Sequence, residues 1–153
     1  MKNLFLLFVC ALVFNVSAQE EHVSNLNWLT DIDEAKAISS KENKPILVYF
    51  TGSDWCPPCK MLKQDFFNST KFEEKAKGMV LLMVDMPRKV DVITKEQKAK
   101  NSNLVRQYNS RGSYPNIVAL NSKGAVLGEL SGYTFLRETD RHYAFVDSIL
   151  ENY

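Results

Sequence analysis

A chain of 153 residues that is 45% hydrophobic, 24% charged and 11% aromatic has the composition of an ordinary globular protein burying one core, so a single domain is expected. Nineteen Lys and Arg against eighteen Asp and Glu leave a formal charge of +1, which lacks the basic surplus a duplex backbone would demand, and no nucleic-acid partner is expected. Five Pro, six Gly and the lack of any repeat exclude collagenous, low-complexity and solenoid chains.

The chain opens with Lys2, an apolar run from Leu4 to Phe14, and then Val16, Ser17 and Ala18. That order is expected of a secretory signal peptide cleaved near Ala18, with a buried N-terminal strand or helix as the alternative. The run falls short of the roughly 20 apolar residues that span a bilayer, so no stable membrane insertion is expected. Cys10 sits in mid-run, away from the small-residue end where a lipid-modified cysteine would be placed. The expected organisation is therefore a signal segment over 1–18 and one exported domain over 19–153, periplasmic or secreted, in which basic and acidic residues balance once Lys2 is gone.

In the exported part, Thr30 or Asp31 caps a predicted helix that runs through Glu34, Ala35 and Ile38 to about Glu42, where Asn43-Lys44-Pro45 stops it. Ile46 to Phe50 is a continuous β-prone run of the kind buried on both faces of a sheet. After the polar loop Thr51 to Asp54, Trp55-Cys56-Pro57-Pro58-Cys59 opens a helix carrying Lys60, Met61, Leu62 and Phe66. Two prolines suit a first helical turn, whose N–H groups have no intrahelical acceptor. A strand is predicted at Met79 to Asp85, a loop from Met86 to about Lys95, and a helix from Glu96 to Tyr108 with Leu104, Val105 and Tyr108 on its apolar side. Beyond Gly112-Ser113-Tyr114-Pro115, the strands Asn116 to Leu120 and Ala125 to Ser131 flank an Asn121-Ser122-Lys123-Gly124 turn and form a predicted hairpin. A last helix is expected from about Phe135, with Ala144, Phe145, Ile149 and Leu150 facing inward, and Trp28, Phe66, Phe67 and Phe72 are expected in the core. Strands interleaved with helices and finished by a hairpin predict an α/β sandwich with a mixed sheet.

With Cys10 in the leader, Cys56 and Cys59 remain, spaced C-x-x-C. Structural disulfides gain most when they close long loops, and this pair closes almost none. A zinc site wants four ligands, and only His22 and His142 stand elsewhere in the chain, so neither a metal nor a cofactor is expected. The simplest reading is a pair that opens and closes.

The stretch Ile46 to Lys60 (ILVYFTGSDWCPPCK), followed by Val84-Asp85, Ser113-Tyr114-Pro115-Asn116 and the Gly124 hairpin, resembles the thioredoxin superfamily over roughly residues 28–152. Phe50 to Cys56, the Tyr114-Pro115 pair and Gly132-Tyr133 are most similar to exported bacterial thioredoxin-like proteins of the disulfide-isomerase type. The resemblance implies a thioredoxin-like sandwich, with a central mixed β-sheet flanked by helices and a C-terminal hairpin plus helix. It also implies a thiol–disulfide oxidoreductase, reductase or isomerase, that acts on exported client proteins and exchanges electrons with an upstream redox partner. A monomer is expected.

At the head of a helix Cys56 is the expected nucleophile, because unpaired N–H groups there stabilise a thiolate, and Cys59 one turn inside is the resolving thiol. The resemblance implies that Pro115 is cis and shapes the groove that holds client backbone. Trp55 is a lip beside Cys56 or a packing residue, and Tyr114 lines the groove or fills space beside the proline. Many thioredoxins carry a buried Asp and a Lys where Tyr49 and Leu81 stand here, and the loop from Phe50 to Trp55 is one residue longer. Without that Asp, water or Asp54 is left to take the proton of Cys59. A client-binding chaperone that uses the same groove with its cysteines locked is the competing function.

Overall fold

In the computed structural model, which describes residues 24–153, the chain begins with a two-residue strand, β1 (Trp28–Leu29), and a helix, α1 (Ile32–Glu42). The expected signal segment and His22 lie outside the described residues. Of the two caps available, Asp31 is the one used: its carboxylate accepts the Asp33 and Glu34 N–H groups at 2.9 and 3.3 Å, and Asn43 closes the helix in the left-handed region at φ 51°. Strand β2 (Ile46–Thr51) is buried along its whole length. Helix α2 (Pro57–Leu62) runs into a π-helical turn, Lys63–Phe67, and a short helix, α3 (Thr70–Ala76), whose first turn is capped by the Ser69 hydroxyl. Then come β3 (Val80–Asp85), α4 (Lys95–Tyr108), the hairpin β4 (Asn116–Leu120) and β5 (Val126–Ser131), and α5 (Asp140–Asn152).

The strands form one mixed sheet in the order β1-β3-β2-β4-β5. β1 and β2 run parallel to β3, whereas β4 is antiparallel to both β2 and β5. Because successive side chains of a strand point to opposite faces, β2 supplies both cores. Leu47 and Tyr49 pack with Leu62, Phe66, Phe67 and Phe72 from α2, the π turn and α3. Ile46, Val48 and Phe50 pack on the other face with Ala35 of α1 and Leu104 of α4. Burying a Leu, Ile or Phe side chain fully contributes about 1.5–3 kcal/mol, so this central strand, with Ile46, Leu47, Val48, Tyr49 and Phe50 all buried, contributes strongly to both cores. Its C-terminal end, at the middle of the sheet, points at the loop that carries the cysteines.

Three expectations are corrected. The last helix begins at Asp140, not near Phe135. Phe135 and Leu136 imitate helical spacing, but Arg137 adopts φ 58° and its guanidinium forks onto Asp65 of the π turn, which holds residues 134–139 as a loop. With the later start, Ala144 is exposed; His142, Tyr143, Val146 and Ile149 face inward, and Phe145 and Leu150 are half-buried. Trp28 is half-buried too, because it stands on an edge strand with its ring 5.1 Å from that of Phe67.

Candidate active site

The loop after β2 is fastened at several points. Trp55 and Cys56 donate their N–H groups to the Gly52 carbonyl at 3.2 and 2.9 Å, and the Trp55 indole lies so close over Gly52 that no Cβ fits there. Ser53 donates through its N–H at 2.9 Å and its hydroxyl at 2.6 Å to the Asp85 carboxylate, which ties the loop to the end of β3. Cys56 is thereby delivered to the N-cap of α2, in extended conformation, with Pro57 and Pro58 as the first two helical residues.

Cys56 and Cys59 are joined in a disulfide, their Cα atoms 5.3 Å apart. The Cys56 sulfur accepts the Cys59 N–H at 3.3 Å. Proline has no N–H, so residues 57 and 58 offer the sulfur no backbone donor. Cys56 is 2% exposed and Cys59 1%, so the pair meets solvent over a small opening. The Cys59 carbonyl is held by the Lys63 N–H from the π turn and by the Tyr49 hydroxyl at 3.0 Å. Burial, with the Asp85 charge adding to it, holds the Tyr49 phenol far above its usual pKa, so it stays a neutral donor. Tyr49 stands opposite Met83 in the β2–β3 register and Leu81 opposite Leu47; these two β3 partners bring no charge to the back of the cysteine pair.

Trp55 is a packing residue. Half-buried, it donates Nε1–H to the Met86 carbonyl at 2.8 Å and meets the Tyr114 ring edge-on at 5.3 Å, and the Arg88 guanidinium lies 4.5 Å above it. The Tyr114–Pro115 bond is cis. Pro115 is buried, and its carbonyl accepts the Gly132 N–H at 2.8 Å, so the chain leaving β5 flanks the proline.

Asp54 faces a different partner from the cysteines. Its two oxygens accept the Arg88 N–H, each at 3.1 Å, and one also accepts the Lys89 N–H at 2.9 Å. These bonds, that from Lys89 foremost, hold its carboxyl below the usual carboxylate range. A pocket of about 380 Å³ opens beside Cys59, with Tyr49, Thr51, Ser53, Lys60 and Lys63 among its walls. Among the described residues, no group of three or more His, Cys, Asp or Glu side chains is placed to hold a metal ion.

Sequence reasoning missed the polar scaffold under Pro115. Asn116 is fully buried, donates to Asn109 at 3.2 Å and to Glu129 at 2.9 Å, and accepts from the Ser131 hydroxyl at 2.7 Å. Asn109 in turn bonds both ways with the Ser113 backbone, which fixes the approach to Tyr114. The sequence signal was an Asn directly after the Tyr-Pro pair, at a position a buried strand normally gives to an apolar residue.

The family model described as Thioredoxin-like matches residues 27–122. The disulfide bond reductase DsbH of Chlamydia pneumoniae is 36% identical over 109 residues, which cover 70% of this chain and 63% of that protein, so the match spans less than two thirds of the relative's length. A solved structure of a DsbH oxidoreductase superposes with a TM-score of 0.71 at 28% identity, covering 86% of this chain and 89% of the other. A disulphide isomerase from Xylella fastidiosa shares the fold at a TM-score of 0.59 and 22% identity, over 83% of this chain and 94% of its own. The family match runs from β1 to the turn beyond β4, through the cysteine loop and the cis proline, and on that span this chain belongs to the thioredoxin-like family.

Proposed function

We propose that this protein is an exported thiol–disulfide oxidoreductase that reduces disulfides in client proteins, with Cys56 as nucleophile and Cys59 as resolving thiol. The observation that carries the reading is the Cys56–Cys59 disulfide at the head of α2, its outer sulfur beside an aromatic lip and its inner residue clamped by Tyr49 and Lys63. The Cys56 thiolate attacks one sulfur of a client disulfide, and the other client sulfur leaves as a thiolate and takes up a proton. The Cys59 thiol then loses its proton and attacks the Cys56 sulfur, releasing the second client thiol. Two electrons pass from the enzyme dithiol to the client, and an upstream thiol donor restores the pair.

Reduction is favoured over oxidation because Cys59 N–H is the backbone donor that reaches Cys56, with two prolines where further donors would stand. A weakly stabilised thiolate makes the dithiol form a better reductant. The similarity to a disulfide bond reductase supports the same direction. The pocket beside Cys59 gives water a route to accept its proton, while Asp54, its oxygens already engaged, fastens the loop that follows β3. Trp55, Tyr114 and Pro115 line the client groove. Insulin reduction by dithiothreitol tests the reading. Catalysed turbidity lost in Cys56→Ser supports it, and an unchanged rate in that variant would favour a client-binding module with no redox role.

A further inference from the structure

The segment between β3 and α4 brings a cation to the lip of the candidate site and holds it there. Met86 donates its N–H to Thr51 at 2.9 Å and accepts Nε1–H of Trp55, Asp54 binds the backbone of Arg88 and Lys89, and Lys98 Nζ donates to the Pro87 carbonyl at 3.3 Å. These bonds set the backbone so that the Arg88 side chain, itself exposed, places its guanidinium carbon over the Trp55 ring, 4.5 Å from the centroid. A cation held over a ring by its charge still has N–H groups with which to pair with a carboxylate. Among the described residues no carboxylate forms an ion pair with Arg88. Of the neighbouring acids, Asp54 is engaged by the loop backbone and Asp85 by Ser53. Asp91 follows three residues on and is exposed. Trp55 precedes the nucleophile directly, so the cation stands against the residue next to Cys56.

We infer that Arg88 is a specificity residue, resting on the oxidoreductase reading above: it selects clients that carry an Asp or Glu side chain within a few residues of the reactive cysteine. A guanidinium already held over the Trp55 ring on a fastened backbone loses less freedom on pairing than a free side chain, and a planar fork matches a carboxylate better than a mobile ammonium does. An exposed pair of this kind contributes up to about 1 kcal/mol, which corresponds to about five-fold in affinity.

The test uses end-capped peptide disulfides in which the cysteine is flanked by Glu, Gln or Lys, so that the Glu side chain is the sole carboxylate. Relative kcat/KM is measured for each peptide with the wild type, Arg88→Gln, Arg88→Lys and Lys89→Gln. In parallel, the Cys→Ser forms of the same peptides are titrated into the oxidised protein and followed by Trp fluorescence, which reads selection without turnover. The expected result is a Glu-over-Gln preference of about five-fold in both measurements, carried by KM, reversed for Lys and shrinking as salt is raised. Arg88→Gln brings the ratio to about one, Arg88→Lys keeps part of it, and Lys89→Gln keeps it whole. A wild-type ratio near one, or a ratio that survives in Arg88→Gln, overturns the inference. So does an equal slowing of all three peptides by Arg88→Gln, which would assign the cation to the Cys56 thiolate. Selective binding by a protein without Cys56-dependent turnover would sink the oxidoreductase reading and leave the Arg88 assignment standing.

Discussion

Tyr49 offers a quantitative test of how the back of the cysteine pair is built. Restoring a carboxylate by Tyr49→Asp removes a ring that is 1% exposed and packs 4.5 Å from Phe67 and 5.9 Å from Trp28. Truncating a buried aromatic costs about 3–5 kcal/mol, against the roughly 5–15 kcal/mol that holds a domain folded. The new carboxylate would sit opposite Met83 with Leu81 and Leu47 beyond it and would feel the Asp85 charge, so burying it adds a desolvation cost. At about 4 °C per kcal/mol for a chain of this size, the melting temperature should fall by more than about 10 °C. The pH dependence has a definite sign. Burial raises the new carboxyl's folded pKa above its unfolded value of about 3.9, so the variant is least impaired below pH 4 and loses stability as pH rises toward the folded pKa. Tyr49→Phe is the control: it removes the hydroxyl bond alone, at about 1 kcal/mol, and the Cys59 carbonyl keeps the Lys63 N–H. Urea unfolding of the three proteins at pH 4 and pH 8 measures all of this. A Tyr49→Asp variant as stable as its parent at pH 8 would refute the burial and the strand register on which the reasoning rests.

His142 is 1% exposed between the rings of Phe66 and Tyr133, and neither nitrogen makes a hydrogen bond of normal geometry; burial, with Arg141 adding to it, pushes its pKa down to about 4, the Gly132 backbone offsetting a small part. Its folded pKa lies below the unfolded 6.5, so its contribution is complete above pH 6.5 and is lost as pH falls toward 4, by about 3 kcal/mol in all at 1.36 kcal/mol per unit. His142→Leu should flatten stability between pH 6.5 and 4.5, a window above the range where carboxylates protonate, and an unchanged slope in chemical denaturation would contradict it. Asp54→Asn should speed amide exchange at Arg88 and Lys89 while leaving the Cys59 resolution step unaltered in stopped-flow; a slowed resolution would make Asp54 the proton acceptor. Equilibration with glutathione should give a reduction potential between about −270 and −180 mV, and a value near −120 mV would mean that tertiary contacts stabilise the Cys56 thiolate in spite of the prolines.

What could be read in the sequence was what local chemistry decides. The Ile46 to Phe50 run is buried on both faces, with the strand extending one residue further to Thr51, and the Asn121 to Gly124 turn closes with the Gly124 N–H on Asn121 and Gly124 at φ 83°. Cys56 at a helix start followed from two prolines that fit nowhere else in a helix. What escaped was set by partners distant in sequence. Asp54 and Arg88, 34 residues apart, meet only because β2 and β3 are neighbours that end together. The π turn at Lys63–Phe67 brings Asp65 to Tyr133 and Arg137, and that cluster, not any propensity of residues 135–139, delays the start of α5. β1 and α3 are short elements held by tertiary packing, too brief for periodicity to register.

The central claim is that Cys56 attacks and Cys59 resolves, and mixed-disulfide trapping tests it most directly. Cys59→Ser and Cys56→Ser are each expressed as the full 153-residue chain, thiols are blocked by alkylation, and the cell fractions are run on non-reducing electrophoresis. Cys59→Ser should accumulate client adducts that collapse on reduction, because the attacking thiolate survives and the thiol that releases the client is gone; Cys56→Ser should accumulate none. Equal trapping by the two variants would contradict the assignment of roles, and no adduct with either would contradict thiol–disulfide exchange as the activity of this pair.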